Sequence, residues 1–172
     1  MRLIGSKIAL RPLTLRDLPN CWKWIRDREV TRYMSGAQFP KTYVGEVKWF
    51  KNMKKKKDEL LFAMLDKKSG QHIGTFGIHS ISQYNKKATV GIMIGEKEFW
   101  GRGYGTDAMT TALAYCFKKL KLNKVSLLVV PQNKGAMKCY KKCGFKKVGF
   151  IKDESRGVDG KFHDAYLMDT FA

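Results

Sequence analysis

Two short stretches of this 172-residue sequence combine residue types and spacings that could do chemistry. The first is Phe99-Trp100-Gly101-Arg102-Gly103-Tyr104-Gly105-Thr106. It follows an apolar strand pattern, Thr89 to Ile94, and opens an amphipathic helix, Asp107 to Leu120. A strand, a glycine-rich turn and a helix start together suit an anion. The N–H groups of a helix's first turn have no intrahelical partner, and the helix dipole adds partial positive charge there. Glycine admits positive φ and lets a phosphate approach the main chain closely. Arg102 supplies a full charge beside it. The stretch therefore predicts a phosphate-bearing ligand. It is not a P-loop, since G-x-x-x-x-G-K-[ST] is absent. It is not a dinucleotide fingerprint either. Its third glycine falls one residue early, and the next strand, 124–130, runs into Pro131-Gln132 with no acidic residue for a ribose.

The second stretch runs from Pro131 to Phe145. Asn133 is placed to cap a helix that Gly144 ends. Asn133, Ala136, Met137 and Tyr140 are spaced i, i+3, i+4, i+7 and share one helix face. An isolated tyrosine in such a place is more simply a core residue whose hydroxyl bonds a main-chain carbonyl. The neighbouring glycine turn is what gives Tyr140 weight.

Together the stretches resemble the GCN5-related N-acetyltransferase (GNAT) superfamily, in the branch of ribosomal-protein and polyamine acetyltransferases. Members carry [QR]-x-x-G-x-[GA] after a bulged central strand. Here the window is Trp100-Gly101-Arg102-Gly103-Tyr104-Gly105, with Trp100 replacing the usual Gln or Arg. Members also carry N-x-x-A-x-x-x-Y-x-K-x-G-F, matched by Asn133, Ala136, Tyr140, Lys142, Gly144 and Phe145. Ile8-Ala9-Leu10-Arg11-Pro12-Leu13 with Asp17 resembles the family's first strand and the start of its first helix. One departure stands out: many relatives have a Glu, often the general base, where this chain has Thr89.

The resemblance implies acetyl-CoA as cosubstrate. Its pyrophosphate would lie on the N–H groups of Arg102, Gly103, Tyr104, Gly105 and Thr106. Its pantetheine would lie along Ile92, Met93 and Ile94, and Asn133 would hold the pantetheine or a bridging water. A main-chain N–H of Ile92–Ile94 would stabilise the oxyanion. A neutral amine would attack directly in a ternary complex, and Tyr140 would protonate the departing thiolate. The base is left open. Thr89 is unable to serve; His79, Glu96, Glu98 and a water chain are candidates that nothing in the sequence orients. Cys139 as an acyl carrier is disfavoured, because helical geometry turns it about 100° from Tyr140.

Acceptor contacts in this family fall in the first two helices, here Trp22 to Phe50. Trp22, Trp24, Arg26, Asp27, Arg28, Glu29, Arg32, Tyr33, Met34 and Trp49 lie in this segment. A protein N-terminus, an amino-sugar nucleotide, and a polyamine or other small amine stay open as acceptors. Lys plus Arg number 34 against 15 Asp plus Glu, a net charge of +19. Such a field draws polyanions and repels a polycation. It favours the first two acceptor classes over a free polyamine and keeps RNA or ribosome proximity open. The aromatics are not interleaved with the lysine runs as base-stacking platforms would be. A basic RNA- or ribosome-binding module with a vestigial CoA pocket is the non-enzymatic alternative.

The remaining composition is that of a globular protein with no membrane span. Met1 to Gly5 is followed by no apolar signal core. A cytosolic location and reduced cysteines are expected. Cys139 and Cys143 stand i, i+4 with no histidine near them in sequence, and no metal site is expected. Monomer and homodimer are both open. The pattern predicts strands at 7–12, 60–66, 71–80, 87–95, 124–130, 145–153 and 161–170. It predicts helices at 15–25, 27–34, 43–55, 104–120 and 133–143. The expected fold is α/β (α+β), one domain over 1–172. Its mixed, mostly antiparallel sheet would be flanked by helices and splayed at the acetyl-CoA site.

Overall fold

The computed structural model describes residues 1–35 and 39–172. The loop expected ahead of Phe39-Pro40, and part of the 22–50 acceptor segment, fall on residues 36–38, outside the described residues. In chain order come β1 (Leu3–Ile4), β2 (Ile8–Pro12), α1 (Leu18–Ile25), α2 (Tyr43–Met53), β3 (Leu60–Asp66), β4 (His72–Ser82) and β5 (Lys87–Ile94). Then follow α3 (Tyr104–Lys118), β6 (Lys124–Val129), α4 (Lys134–Lys142), β7 (Lys146–Arg156) and β8 (Phe162–Phe171). Eight strands form one sheet in the order β1-β2-β3-β4-β5-β6-β8-β7. Every neighbouring pair is antiparallel except β5 with β6.

Alternation along the strands divides the core. Phe76 and Ile78 of β4 and Ala88 and Val90 of β5 pack with Met109, Ala112 and Cys116 of α3 and Tyr140 of α4. On the other face Ala63 and Met93 pack with Leu18, Cys21 and Trp24 of α1 and Phe50 of α2. Helices thus cover both faces, α3 and α4 on one and α1 and α2 on the other.

Local chemistry sets where the helices begin. Asp17 accepts from the N–H and hydroxyl of Thr14 and forks onto Arg11, all at 2.7–2.8 Å, just before Pro19 in the first turn of α1. Thr42 caps α2 by accepting from the Gly45 N–H. Asn133 caps α4 by accepting from the Ala136 N–H, and Gly144 ends it at φ +89°.

Two expectations are corrected. Residues 27–34 form successive turns rather than a helix. The Asp27 carboxylate accepts from the Glu29 N–H, and the Thr31 hydroxyl donates to the Asp27 carbonyl. These bonds close one turn, in which the Thr31 N–H also donates to the Asp27 carbonyl; the next bond, Met34 N–H to the Thr31 carbonyl, spans three residues, and no helix is propagated. The 124–130 strand reads as an apolar run, which predicts cover on both faces, but Leu128 is about half exposed, because the α1 and α2 cluster packs on β3 and β5 through Ala63 and Met93.

Candidate active site

β5 and β6 are paired only from Lys87–Lys124 to Thr89–Ser126. Beyond that point β5 continues to Ile94 beside β4, while β6 continues to Val129 beside β8. The two parallel strands therefore part, and the outer edge of β5 is left open from about Gly91 onward. Main-chain groups of alternate residues point to the same edge. The Gly95 N–H donates to Ile73 O at 2.8 Å, which with the register Thr75–Met93 and Gly77–Gly91 turns Met93 and Gly91 toward β4. Ile92 and Ile94 face the gap. The Ile94 carbonyl is taken by Trp100 Nε1 at 2.8 Å. Of the three residues expected to hold pantetheine, Ile92 thus offers both main-chain groups and Ile94 its N–H. Met93 is committed to β4, with its side chain in the α1–α2 core.

At the end of this edge the chain turns into α3. Gly103 is the N-cap at φ +84°, and no side chain caps the helix. The first-turn N–H groups, those of Tyr104, Gly105 and Thr106, are consequently free to meet an anion. Side-chain bonds from distant residues hold the turn. Asp107 accepts from the N–H groups of Ser6, Lys7 and Ile8 and the Ser6 hydroxyl at 2.8–3.0 Å, locking the β1–β2 connection onto α3. Burial alone would raise its carboxyl pKa, but these donors bring it below the usual range. The Tyr104 hydroxyl donates to Asp66 Oδ1 at 3.0 Å. Ser69, with Tyr104 assisting, lowers the Asp66 carboxyl to about 2 against the opposing effect of burial.

The same lock brings in a cation the sequence reading missed. Lys7 Nζ donates to the Arg102 carbonyl at 2.7 Å and lies 3.6 Å from where a Gly103 Cβ would stand. Arg102 itself bends back, its Nη1 donating to Glu98 O at 3.2 Å. No local pattern marks Lys7; only the Asp107 contact, some hundred residues away in sequence, places it there.

α4 packs against the start of α3. The Thr106 hydroxyl donates to Cys139 Sγ at 3.4 Å, and a Gly105 Cβ would stand 3.6 Å from that sulfur. The Cys143 thiol and Thr106 pull the Cys139 thiol down to about 7, although burial opposes this. Cys139 therefore faces the glycine turn. Tyr140, the next residue, is 8% exposed and packs edge-on against Phe145. Its hydroxyl has no hydrogen-bond partner among the described residues. A core tyrosine satisfied by a carbonyl does not match this; the Tyr140 ring lies in the α3–α4 core with its hydroxyl left without such a partner among the described residues. Burial pushes its pKa well above the ordinary phenol range, with Cys139 and Cys143 adding to the effect, so it keeps its proton at neutral pH. Asn133 spends its carbonyl oxygen on the α4 cap.

The α1–α2 side differs in kind. Trp24, a candidate acceptor contact, is a core residue: it is 1% exposed, donates to Glu96 Oε1 at 2.9 Å and packs on His72. Trp22 lies edge-on to Tyr43 with Arg26 over its ring. Most acidic residues here are already paired. Asp27 and Glu29 share Lys97, Glu96 holds Lys23, and Asp17 holds Arg11. A cleft of about 830 Å³ lies between the end of β2 and α2, lined by Arg11, Arg16, Lys51, Lys54, Lys55 and apolar Phe50 and Leu15. Of the candidate bases, Glu96 and Glu98 lie past Ile94 on the way to the glycine turn. His79 stands in register with Thr89, where the strands part.

The family model of the GNAT acetyltransferase domain matches residues 7–146. This chain belongs to the GNAT acetyltransferase family; it is an N-acetyltransferase that takes its acetyl group from acetyl-CoA. The uncharacterized N-acetyltransferase p20 of Bacillus licheniformis is 26% identical over 168 residues, covering 96% of this chain and 93% of p20. YdaF of Bacillus subtilis, provisionally named a ribosomal N-acetyltransferase, is 33% identical over 95 residues, 55% of this chain and 51% of its own. In fold the chain is similar to a spermidine N-acetyltransferase from Vibrio cholerae solved with CoA and spermine. That likeness has a TM-score of 0.86 at 24% identity and covers 97% of this chain and 96% of the other. No helix among the described residues is long and apolar enough to cross a membrane.

Proposed function

We propose that this enzyme acetylates a primary amine that sits beside negative charge, either an amino-sugar nucleotide or a protein N-terminus next to RNA. The observation that carries this reading is the cleft lined by Arg11, Arg16, Lys51, Lys54 and Lys55. It opens on the sheet face opposite α3, at the same end of β2 and β3 as the parting of β5 and β6. An acceptor phosphate is attracted there, while a polycation meets Arg16, Lys51, Lys54 and Lys55, Arg11 being already paired with Asp17. The pairing of Asp27, Glu29 and Glu96 with lysines removes the carboxylates that a polyamine would use.

In this reading the pyrophosphate rests on the N–H groups from Arg102 to Thr106, with Lys7 and Arg102 supplying charge. Pantetheine adds to the open edge of β5 through Ile92 and the Ile94 N–H. Asn133, its carbonyl engaged in the cap, has only its amide N–H groups for the ligand. The amine attacks the thioester carbon, the C–N bond forms, and the C–S bond breaks as Tyr140 gives its proton to sulfur. Thiol release is measured with spermidine, a peptide with a free N-terminus and a nucleotide-linked amino sugar across ionic strength. The phosphate-bearing acceptor, or a peptide presented with RNA, is expected to win at low salt. Spermidine winning there would replace this reading with the polyamine one.

A further inference from the structure

We infer that His79, held by Glu59, is the base that removes the ammonium proton, supplying what Thr89 does not. The inference rests on the acetyl-transfer reading above but not on which acceptor is used. Glu59 precedes β3, and its carboxylate accepts from His79 Nδ1 while also receiving the Ser80 N–H at 3.4 Å. Its side chain is 8% exposed, and that of His79 is about one-third exposed. A carboxylate so placed fixes the tautomer: Nδ1 carries the hydrogen, and Nε2 keeps its lone pair.

The strand geometry aims that lone pair. His79 is the last residue of β4 in register before a bulge, and Ser80 within the bulge has φ +51°. Bulges of this kind re-aim side chains. The ring folds back over Gly77, whose absent Cβ would run into Nε2, and a Gly91 Cβ would stand 3.7 Å from the same atom. Gly77 and Gly91 face each other across β4 and β5 and form the floor beneath the imidazole.

Chain order then brings Nε2 to the reacting end of the cosubstrate. The glycine turn that takes the pyrophosphate follows Ile94, so pantetheine runs back along β5 and its thioester lies toward Gly91 and Thr89. Gly77, His79, Thr89 and Gly91 lie on the sheet face away from α3, the face of the cationic cleft. Among the described residues Glu59 is the titratable side chain in hydrogen-bond contact with the ring. From β5 the Thr89 hydroxyl meets only the His79 carbonyl, at 3.4 Å.

The protons balance. One ammonium proton passes to Nε2 and leaves through the solvent-exposed part of the ring. The neutral amine attacks, electrons of the C–S bond go to sulfur, and Tyr140 protonates it. The second nitrogen proton returns to Tyr140. The net products are the amide, CoA thiol and one proton.

The test uses whichever of the three acceptors the wild type turns over fastest. His79→Gln is expected to lower kcat/KM roughly 100-fold or more, the usual scale of general-base loss. Its acid limb should move up to that of the amine itself, while acetyl-CoA still raises Tm as in the wild type. Glu59→Gln is expected to give a smaller loss with the same thermal response. Independently of turnover, nitrogen NMR of His79 is expected to show the neutral ring protonated on Nδ1, and Glu59→Gln to weaken that preference. Wild-type rate and acid limb in His79→Gln, or a neutral ring protonated on Nε2, would overturn the assignment. A change in which acceptor is fastest overturns only the acceptor reading.

Discussion

The half of the molecule proposed to meet acetyl-CoA and the half proposed to face the amine are built on different principles. The donor half is made of main chain: an open strand edge at Ile92, a positive-φ turn at Gly103, and uncapped N–H groups at the start of α3. Its partner is one unchanging molecule, and short contiguous motifs suffice to specify it. The acceptor half is made of side-chain pairs between distant segments: Lys97 with Asp27 and Glu29, Lys23 with Glu96, Glu59 with His79. A main-chain site tolerates changes in side chains around it. A site of paired charges is retuned by replacing one of them, and the two halves should accordingly break in different ways.

The largest expected effect is on the donor half. Gly103→Val puts a β-branched residue at φ +84° and a branched side chain where the phosphate must approach. Stabilisation by acetyl-CoA, which arises because the ligand binds only the folded state, should disappear from the melting curve. Gly101→Ala is the control, at φ +69° with nothing within 4 Å of the added carbon. It should lower Tm slightly and leave acetyl-CoA stabilisation in place. Full stabilisation in Gly103→Val would mean that the phosphates lie elsewhere.

Next in size is Tyr140→Phe. Its hydroxyl is assigned a part only as the thiolate forms, so kcat should fall roughly 100- to 10,000-fold with acetyl-CoA affinity nearly unchanged. Because burial holds the phenol protonated, no alkaline limb from Tyr140 should appear in the wild-type profile through pH 9. A fall in kcat below about fivefold would move the acid to another group.

The contrast between the halves also marks what could be read from sequence. The glycine turn and the Asn133–Gly144 helix were legible because their signals are local: φ-permissive residues, a cap and helical spacing within about a dozen positions. The sheet, its splay and four of the five expected helices followed from periodicity and from the family resemblance. Residues 27–34 did not, because the single helical bond from the Thr31 N–H to the Asp27 carbonyl is followed by a three-residue turn at Met34 and not by further helical bonds. Trp24 looked like an acceptor contact because aromatic character alone does not separate core from site. Lys7 and Glu59, the group that orients the candidate base His79, were silent, since each is placed only by register across the sheet or by the Asp107 lock. Met93 shows the limit from the other side. It lies in the expected segment, but only the hydrogen-bond phase with β4 reveals that its main chain is already used.

A smaller effect is expected from the lock itself. Asp107→Asn keeps one acceptor but turns an amide toward donors, leaving N–H groups of Ser6, Lys7 or Ile8 unsatisfied. A loss of about 1–3 kcal/mol follows for such groups, or roughly 2–12 °C in Tm for a chain of this size. The pH dependence has a definite sign. Asp107, Asp66 and Asp17 all have carboxyl pKa values lowered by folding, the last two to about 2. Their contribution is present above the unfolded value near 4 and is lost as pH falls from there toward 2. Wild-type Tm should drop across that window, and Asp107→Asn should drop less steeply. Equal slopes would show that the lock carries no charge-dependent stability.

The smallest effect tests the acceptor half at its most adjustable point. Lys97 holds Asp27 and Glu29 together, and all three side chains are at least about one-third exposed. Exposed pairs add little to stability, so Lys97→Met should leave Tm within experimental error. What it changes is the local field: two carboxylates lose their cation, and the net charge of +19 drops by one. Spermidine carries positive charge along its length and is the acceptor that gains. Its kcat/KM should rise about two- to fivefold in low salt, the scale of a single exposed charge contact. The gain should fade by several hundred millimolar salt as the screening length shrinks to a few ångströms. A phosphate-bearing acceptor should lose slightly over the same range. An identical spermidine rate in Lys97→Met at every salt concentration would place the amine's path away from Asp27 and Glu29. It would leave the buried Glu46 of α2, whose carboxyl is raised by burial, as the next carboxylate to replace.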